Sequence, residues 1–422
     1  MKKIYSAILM ALIMASCSDK VTKEEKKELA DNGTTSVETA IGPLELVSPY
    51  TSKSVSNNST VIEWPEGMTP QAPEGFTVTR FADNLEHPRW TYIAPNNDIF
   101  VAEANTSNSA DRVTLLRDTD EDGEVDERMI FKDGLNQNFG MLALNGYFYI
   151  ANTDGLYRWP YKEGDTKLEG EGEKIVDLSA SGYNNHWTRN IITNEAGDKI
   201  YISVGSSSNV GEYGMEKEVR RANILEVNPD GSGEIVYANG LRNPVGMDWN
   251  PVTGDLWTAV NERDELGNNL VPDYITSVKK GGFYGWPFSY YGQIKDPRWE
   301  DEPHDSLVAA AIVPDVPVGS HTASLGLTFY TADDFPAEYK NGAFVGQHGS
   351  WNRKPFSGYK VLYVPFDQRK PQEPQDFLTG FIANEENSEV YGRPVCVAVA
   401  PDGSLLVNDD DSGIIWKVTA NK

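Results

Sequence analysis

The sequence predicts an all-β fold, a six-bladed β-propeller with an inserted loop region between the fourth and fifth repeats. Three observations carry that reading. A turn followed by an apolar or aromatic strand recurs six times, the recurrences lie roughly fifty residues apart as blades of four short strands require, and no capped segment of helical period follows Pro70. A large β-sandwich or a two-domain all-β chain is the competing architecture, because the spacing is uneven and a Trp-Asp blade signature is absent.

The N-terminus comes first in order. Lys2 and Lys3 precede an apolar run, Ile4 to Ala15, that is too short to span a bilayer, and Cys17 follows Met14-Ala15-Ser16. Small residues ahead of a cysteine are the pattern of a bacterial lipoprotein cleavage box, with Met14 where Leu is usual. Residues 1–16 therefore read as a lipoprotein signal peptide, with Cys17 as the lipidated first residue of an exported, membrane-anchored protein facing the periplasm or the cell surface; a chance cysteine behind an ordinary signal peptide is the other reading. Residues 17–70, rich in Lys, Glu, Ser, Thr and Asn, read as a disordered tether, and 71–422 as the propeller.

The repeats follow. They are Asn97-Asp98 before Ile99-Phe100-Val101, Asn145-Gly146 before Tyr147 to Ile150, Gly197-Asp198 before Ile200-Tyr201-Ile202, Gly254-Asp255 before Leu256-Trp257, Asn341-Gly342 before Ala343-Phe344-Val345, and Asp402-Gly403 before Leu405-Leu406-Val407. Asx-Gly and Gly-Asp pairs ahead of β-branched or aromatic residues mark tight turns into strands. The interval between the fourth and fifth repeats is the longest, and its excess is placed in a loop region around Glu262 to Tyr291 on one face. Cys396, in the apolar run Val395 to Val399, reads as a buried thiol, since a lipidated Cys17 leaves it no partner.

Composition excludes one class of partner. Lys and Arg number 37 against 63 Asp and Glu, a net charge of −26, and a surface of that sign repels nucleic acid. Absent motifs weigh against others: there is no G-x-S-x-G elbow, His-Glu-x-x-His pair, Cys-x-x-Cys pair, P-loop or dinucleotide loop, so NAD and ATP are unsupported and a redox activity here would use another cofactor.

Candidate chemistry concentrates in loops. Of five histidines, His186 lies in Asn184-Asn185-His186-Trp187-Thr188-Arg189-Asn190, directly before a strand and among polar groups able to orient an imidazole. His321 and His348 are weaker candidates. Arg242, Arg353 and Arg393 sit in segments rich in Gly, Pro and Asn, where a guanidinium could grip a carboxylate or close a blade-to-blade salt bridge. Gly240-Leu241-Arg242-Asn243-Pro244, the carboxylates Glu262, Asp264, Glu265 and Asp273, and Gly281 to Pro287 fall within one short stretch. Asp118, Asp120 and Asp122 with Gly123 follow the first half of an EF-type loop, a candidate calcium site, although position twelve is Met129; a plain acidic hairpin loop is the other reading.

His186 to Asn190, Gly240 to Pro244, Gly281 to Pro287, His348-Gly349-Ser350-Trp351-Asn352-Arg353 and Gly392-Arg393-Pro394 together resemble the soluble aldose dehydrogenases that depend on pyrroloquinoline quinone (PQQ), in particular the glucose/sorbosone dehydrogenase branch. The resemblance covers most of Phe76 to Val418 and implies a six-bladed propeller carrying PQQ beside calcium, with an aldose or sorbosone-like sugar delivering hydride from C1. It implies that His186 takes the hydroxyl proton. Arg242 with Asn243 would contact the quinone oxygens, Gln137 would touch the cofactor, Arg393 would hold a PQQ carboxylate, and Arg353 would lie nearby. The calcium loop corresponds to Glu262 to Asp273, making Arg263 through its carbonyl, Asp264 and Asp273 the candidate ligands. Asn185 stands where the best-known members carry Asp, which would weaken the orientation or basicity of the imidazole if that neighbour is its partner and would let the substrate differ.

Two other classes fit the residues. A calcium-dependent propeller lactonase or hydrolase would act without a quinone, and a non-catalytic carbohydrate-binding propeller would stack sugars on Trp257, Tyr284, Trp286, Tyr290 and Trp351. The sequence leaves the sugar and the electron acceptor open.

Overall fold

Each of the six repeats becomes the second strand of a four-stranded antiparallel sheet. These strands, Ile99–Glu103, Tyr147–Asn152, Ile200–Val204, Leu256–Val260, Ala343–Gln347 and Leu405–Asp409, are almost entirely buried, because a second strand is covered on both faces by neighbouring sheets. Asn97 (φ 71°) and Asn341 (φ 62°) supply the left-handed residue that their tight turns need. The computed structural model describes residues 33–106, 109–120, 122–180 and 184–421. Residues 1–16 and Cys17 lie outside the described residues.

The first strands of the sheets line the middle. Met141–Leu144 packs on Ile191–Thr193, which packs on Pro244–Trp249, then Ser324–Phe329, then Pro394–Val399, then Pro88–Ile93. They approach closely enough that a Cβ on Gly246 would lie 2.5 Å from the Leu327 amide nitrogen, and one on Gly326 would lie 2.3 Å from the Val395 carbonyl. The ring closes through the chain's two ends: Phe76–Ala82 pairs antiparallel with Ile414–Ala420, placing Val78 opposite Val418 and completing the last sheet. Aromatic clusters fill the wedges between sheets. Phe100, Phe131, Phe148 and Tyr161 pack between the first two, and Phe344, Phe377 and Trp416 belong to the cluster of the last two.

Two expectations about boundaries are corrected. The tether was expected to run to residue 70, but Thr34–Thr39 and Gly42–Val47 form a hairpin. Leu46 of that hairpin is 2% exposed, in a cluster with Leu266, Leu270 and Val271. Thr60–Val61 pairs in parallel with Glu389–Val390, and Trp64 stacks on Tyr391 with its indole N–H donated to Asp409. The alternation of Leu44 and Leu46, too short to register as a periodic segment, supplies the docking face. The excess length between the fourth and fifth repeats lies at 278–315, between the third strand (Pro272–Ser277) and fourth strand (Val316–Ser320) of the fourth sheet. It holds the small hairpin Ser289–Tyr290 with Ile294–Lys295 and the helix Asp305–Ala310. Glu262 to Val271 belongs instead to the connection between second and third strands.

Candidate active site

In an antiparallel sheet the entry to the first strand and the exit from the second share one end, so six sheets gather twelve such segments on one face of the ring. His87 and Arg89, Gln137, His186, Arg242 with Asn243, His321 and Arg393 lie at the first-strand entries. Ser206 to Ser208, Asn261 to Asp264, His348, and Asp410 with Asp411 lie at the second-strand exits. The expected residues His186, Arg242, Asn243, Gln137 and Arg393 therefore share one face.

At the centre of this geometry His186 and Asn243 meet across Gly205, where a Cβ would lie 2.5 Å from the His186 Cβ and 2.3 Å from Asn243 Oδ1. His186 is 9% exposed. Its Nδ1 lies 3.0 Å from the Ser206 carbonyl and 2.9 Å from Ser206 Oγ, and the Asn185 amide nitrogen lies 3.2 Å from Nε2. Burial, then the Arg242 guanidinium, hold the imidazole pKa well below the ordinary histidine value. Asn185 thus sits on the outer nitrogen, and the support of the inner one comes from Ser206. Two buried arginines grip the backbone here: Arg189 and Arg221 both donate to the His186 carbonyl.

Arg242 is 1% exposed, and each of its five N–H groups already has an acceptor in the chain. Nε donates to the Asn209 carbonyl, Nη1 to the carbonyls of Asn261 and Glu262, and Nη2 to Asn209 Oδ1 (2.9 Å) and Asp264 Oδ2 (3.2 Å). Asp264 is the hinge of a buried charge network, since its other oxygen lies 3.2 Å from His321 Nδ1 while His321 Nε2 lies 2.8 Å from the Gly267 carbonyl. Burial alone would lower His321, but the Asp264 carboxylate and that carbonyl outweigh it and raise its pKa. Burial acts against ionised Asp264, yet His321 and Arg242 bring its pKa below the ordinary value. A guanidinium so engaged presents a fixed positive charge to the face without a free fork.

The expected calcium loop is only partly suited to a metal. Asp273 Oδ1 accepts the Glu262 amide at 2.8 Å, and Oδ2 accepts the Thr322 hydroxyl at 2.8 Å and the Ser324 amide at 3.1 Å, so both oxygens serve the fold. Arg263 turns its side chain to Asp296, 2.6 Å away in the inserted segment. Glu262 is buried, and burial pushes its carboxyl up to about 7. At the acidic loop, Asp118, Asp120 and Asp126 converge, whereas Asp122 turns to accept the Glu124 amide. That loop joins the third and fourth strands of the first sheet, at the end opposite His186.

Arg393 donates through Nε to the His348 carbonyl (2.9 Å) and through Nη2 to the Gly349 carbonyl (3.2 Å), with Asp411 3.5 Å from Nη1. His348 Nε2 lies 2.8 Å from Asp410, which Arg89 also contacts. The arginines here are balanced by carboxylates. Gln137 donates to the Asn105 carbonyl at 3.3 Å and is partly exposed. Arg353 stands apart, binding the Asn268 carbonyl (2.6 Å) and Asn269 Oδ1 (2.9 Å). Of the aromatic residues considered as sugar platforms, Trp257, Tyr284, Trp286 and Tyr290 are at most 4% exposed, and Trp351 alone of that set is open, at 44%. That burial removes most of the stacking surface a carbohydrate-binding module would need.

Sequence reasoning missed Ser206, Asn209 and Glu218. Asn209 joins Arg242, Asp264 and the Trp286 indole, and Glu218 accepts from the turn at Ser207 and Ser208. The available signal was Gly205-Ser206-Ser207-Ser208 at the exit of a repeat strand.

The buried Asn243 Oδ1, without a hydrogen-bond partner among the described residues, is the observation that asks for a ligand on this face. Known proteins of the same shape carry one. A solved structure of the holo PQQ domain of pyranose dehydrogenase from Coprinopsis cinerea superposes with a TM-score of 0.70 at 20% identity, over 86% of this chain and 100% of that domain. The PQQ-bound aldose sugar dehydrogenase from Streptomyces coelicolor gives 0.57 at 17% identity, over 83% of this chain and 99% of that one. These likenesses establish the β-propeller fold.

In sequence, an uncharacterized protein of Borreliella burgdorferi is 28% identical over 366 residues, covering 84% of this chain and 92% of its own length. The PQQ-dependent pyranose dehydrogenase of Coprinopsis cinerea is 32% identical over 426 residues, covering 85% of this chain and 56% of its own length. Aldose sugar dehydrogenase YliI of Escherichia coli is 27% identical over 194 residues, 46% of each chain. The chain thus spans about half the length of these two named sugar dehydrogenases. Residues 70–277 and 296–421 match the TrAA12-like family model, and the gap falls in the inserted segment of the fourth sheet. A match running through all six sheets makes the chain a member of the TrAA12-like family.

Proposed function

We propose that this chain is a PQQ-dependent sugar dehydrogenase whose six sheets are the blades of one propeller and whose site is the face carrying His186. The observation that carries the proposal is the junction at Gly205, which His186 and Asn243 both flank closely, beside the fixed charge of Arg242. The relatives named above support the cofactor class and the sugar substrate.

PQQ, when bound, supplies a two-electron acceptor for a hydride from the sugar's C1. Every other part falls to the chain. His186 Nε2 takes the C1 hydroxyl proton, and a neutral imidazole at working pH is what that task requires. Asn243, whose buried Oδ1 has no hydrogen-bond partner among the described residues, is placed to meet the ligand, while Gln137 lies at the partly exposed rim. Arg242 places positive charge where negative charge develops, and Asp264 and Asn209 hold it there. Arg393 keeps donor capacity on Nη1 for a carboxylate. We assign the first calcium to the Glu262 to Asp264 segment through the Glu262 carboxylate and the Arg263 carbonyl, and leave out the side chains of Asp264 and Asp273, whose oxygens are all engaged. A second calcium would sit on Asp118, Asp120 and Asp126 and serve the fold of the first sheet. Residues 1–16 are the export signal, and Cys17 is the lipid anchor of a protein working at a membrane surface.

Titration of the purified protein with PQQ in the presence of calcium, followed by a panel of aldoses with an artificial electron acceptor, tests the assignment. Saturable binding with sugar-dependent reduction supports it. Lactone hydrolysis without quinone binding would replace it with the hydrolase reading.

A further inference from the structure

We propose that Ser206 is the positioning residue that fixes His186 as its Nδ1–H tautomer, leaving Nε2 as the one ring nitrogen able to accept a proton. The consequence for turnover rests on the dehydrogenase reading; the tautomer itself does not.

The tautomer follows from what faces Nδ1. The Ser206 carbonyl, 3.0 Å away, only accepts hydrogen bonds. Ser206 Oγ, 2.9 Å away, commits its own proton to the Ser208 carbonyl at 2.6 Å and presents a lone pair to the ring. A deprotonated Nδ1 would confront two oxygen lone pairs, so Nδ1 carries the hydrogen. Nε2 then holds the lone pair, toward the exposed Asn185, whose amide nitrogen at 3.2 Å is a donor suited to it. A sugar hydroxyl approaching Nε2 replaces that amide.

Ser206 is itself immobilised. It is fully buried, and its amide donates to the Arg242 carbonyl at 2.7 Å, so the candidate base and the candidate cation share one residue. Arg221 donates to the carbonyls of Gly205 (2.8 Å), His186 (2.9 Å) and Ser206 (3.0 Å). Glu218 accepts the Ser207 amide at 2.7 Å, the Ser208 amide at 3.0 Å and the Ser208 hydroxyl at 2.5 Å, closing the turn from behind.

The support given to the ring is therefore neutral. The charged groups acting on it are Arg242, Arg221 and Arg189, all of which disfavour an imidazolium, and no carboxylate hydrogen-bonds to it among the described residues. In the reaction the sugar gives its hydroxyl proton to Nε2 and its C1 hydride to PQQ, so the sugar loses two electrons and the cofactor gains them. Without a carboxylate behind Nδ1, the proton accepted at Nε2 is held weakly and leaves readily, and the base stays available at acidic pH.

The test is nitrogen-15 NMR of the histidine-labelled full chain without cofactor, with His186 assigned by its loss in His186→Gln. The expected spectrum has a pyrrole-type Nδ1 and a pyridine-type Nε2 throughout pH 6 to 8, and the reverse pattern overturns the proposal whether or not PQQ binds. Two variants extend it. Ser206→Ala keeps the carbonyl acceptor and should retain the tautomer, with kcat reduced about tenfold, the worth of one hydrogen bond, at unchanged KM. Ser206→Asp places a carboxylate behind the ring and should move the acid limb of the kcat/KM profile upward by about one pH unit, the size of shift one neighbouring charge produces. An acid limb unmoved in a folded Ser206→Asp protein contradicts the role given to Ser206. The predicted spectrum in a protein inactive toward every aldose leaves the tautomer standing and refutes the dehydrogenase reading alone.

Discussion

Replacing Gly205 with alanine perturbs the candidate site at the point that His186 and Asn243 both flank. The backbone there is not left-handed, so the added methyl acts through space alone. It would lie 2.3 Å from Asn243 Oδ1 and 2.5 Å from the His186 Cβ, and real Cβ atoms essentially never approach closer than 3.0 Å. Asn243 must therefore retreat by roughly 0.7 Å and His186 by roughly 0.5 Å. Overpacking of this size costs about 1–3 kcal/mol, which a domain stable by about 5–15 kcal/mol survives. A misplacement of about 1 Å costs on the order of a hundredfold in rate, so the expected loss in kcat is about ten- to a hundredfold. The assay is steady-state turnover of PQQ-loaded, calcium-loaded protein, with thermal unfolding measured alongside. Turnover within twofold of wild type in a protein that unfolds normally would refute the claim that the Gly205 junction sets the active geometry.

Four further outcomes are expected. His186→Gln should bind PQQ with an unchanged quinone spectrum and lose about 10²- to 10⁴-fold in kcat, the range of a general base, checked by stopped-flow reduction with sugar. The acid limb of wild-type kcat/KM should fall below pH 6.5, because His186 is buried neutral and its base form is lost only as pH drops through a lowered folded value. Asp264→Asn should cost about 3–5 kcal/mol by stranding Arg242 and His321, seen by denaturant unfolding. Because the His321 value is raised, its contribution is full below about pH 6.5, is lost as pH rises through the folded value, and should vanish from the variant's pH profile. Leu46→Ala should lower stability by about 2–5 kcal/mol, seen by denaturant unfolding, since Leu46 is buried against Leu266, Leu270 and Val271.

The repeats were legible because their determinants are local. A left-handed Asn or Gly and the apolar run after it are neighbours in sequence, and each such run became a strand buried on both faces. The hairpin at Thr34 to Val47 was not legible, because its few apolar residues mean nothing until Leu266, Leu270 and Val271 arrive from the fourth sheet. Asp273 shows the same limit in the site. A carboxylate among carboxylates reads as a metal ligand until Thr322 and Ser324, about fifty residues later, are seen to take its oxygens. His186, Arg242 and Arg393 stand out as candidates through ordered motifs. Their partners Ser206, Asn209 and Asp411 carry ordinary residue types in ordinary positions, and ring closure gives them their roles. Asp122 failed because an EF-type spacing does not fix which carboxylates turn inward; the strand that follows brings Asp126 in its place.

The central claim is that this face holds PQQ and that His186 draws the proton while C1 gives up hydride. An anaerobic single turnover tests it most directly: PQQ- and calcium-loaded protein is mixed with aldose, and the quinone absorbance and the lactone are measured together. The account predicts one lactone formed per quinone reduced in wild type, and bound but unreduced quinone in His186→Gln on the same timescale. Equal reduction rates in the two proteins, or quinone that stays oxidised in wild type with every aldose, would contradict it.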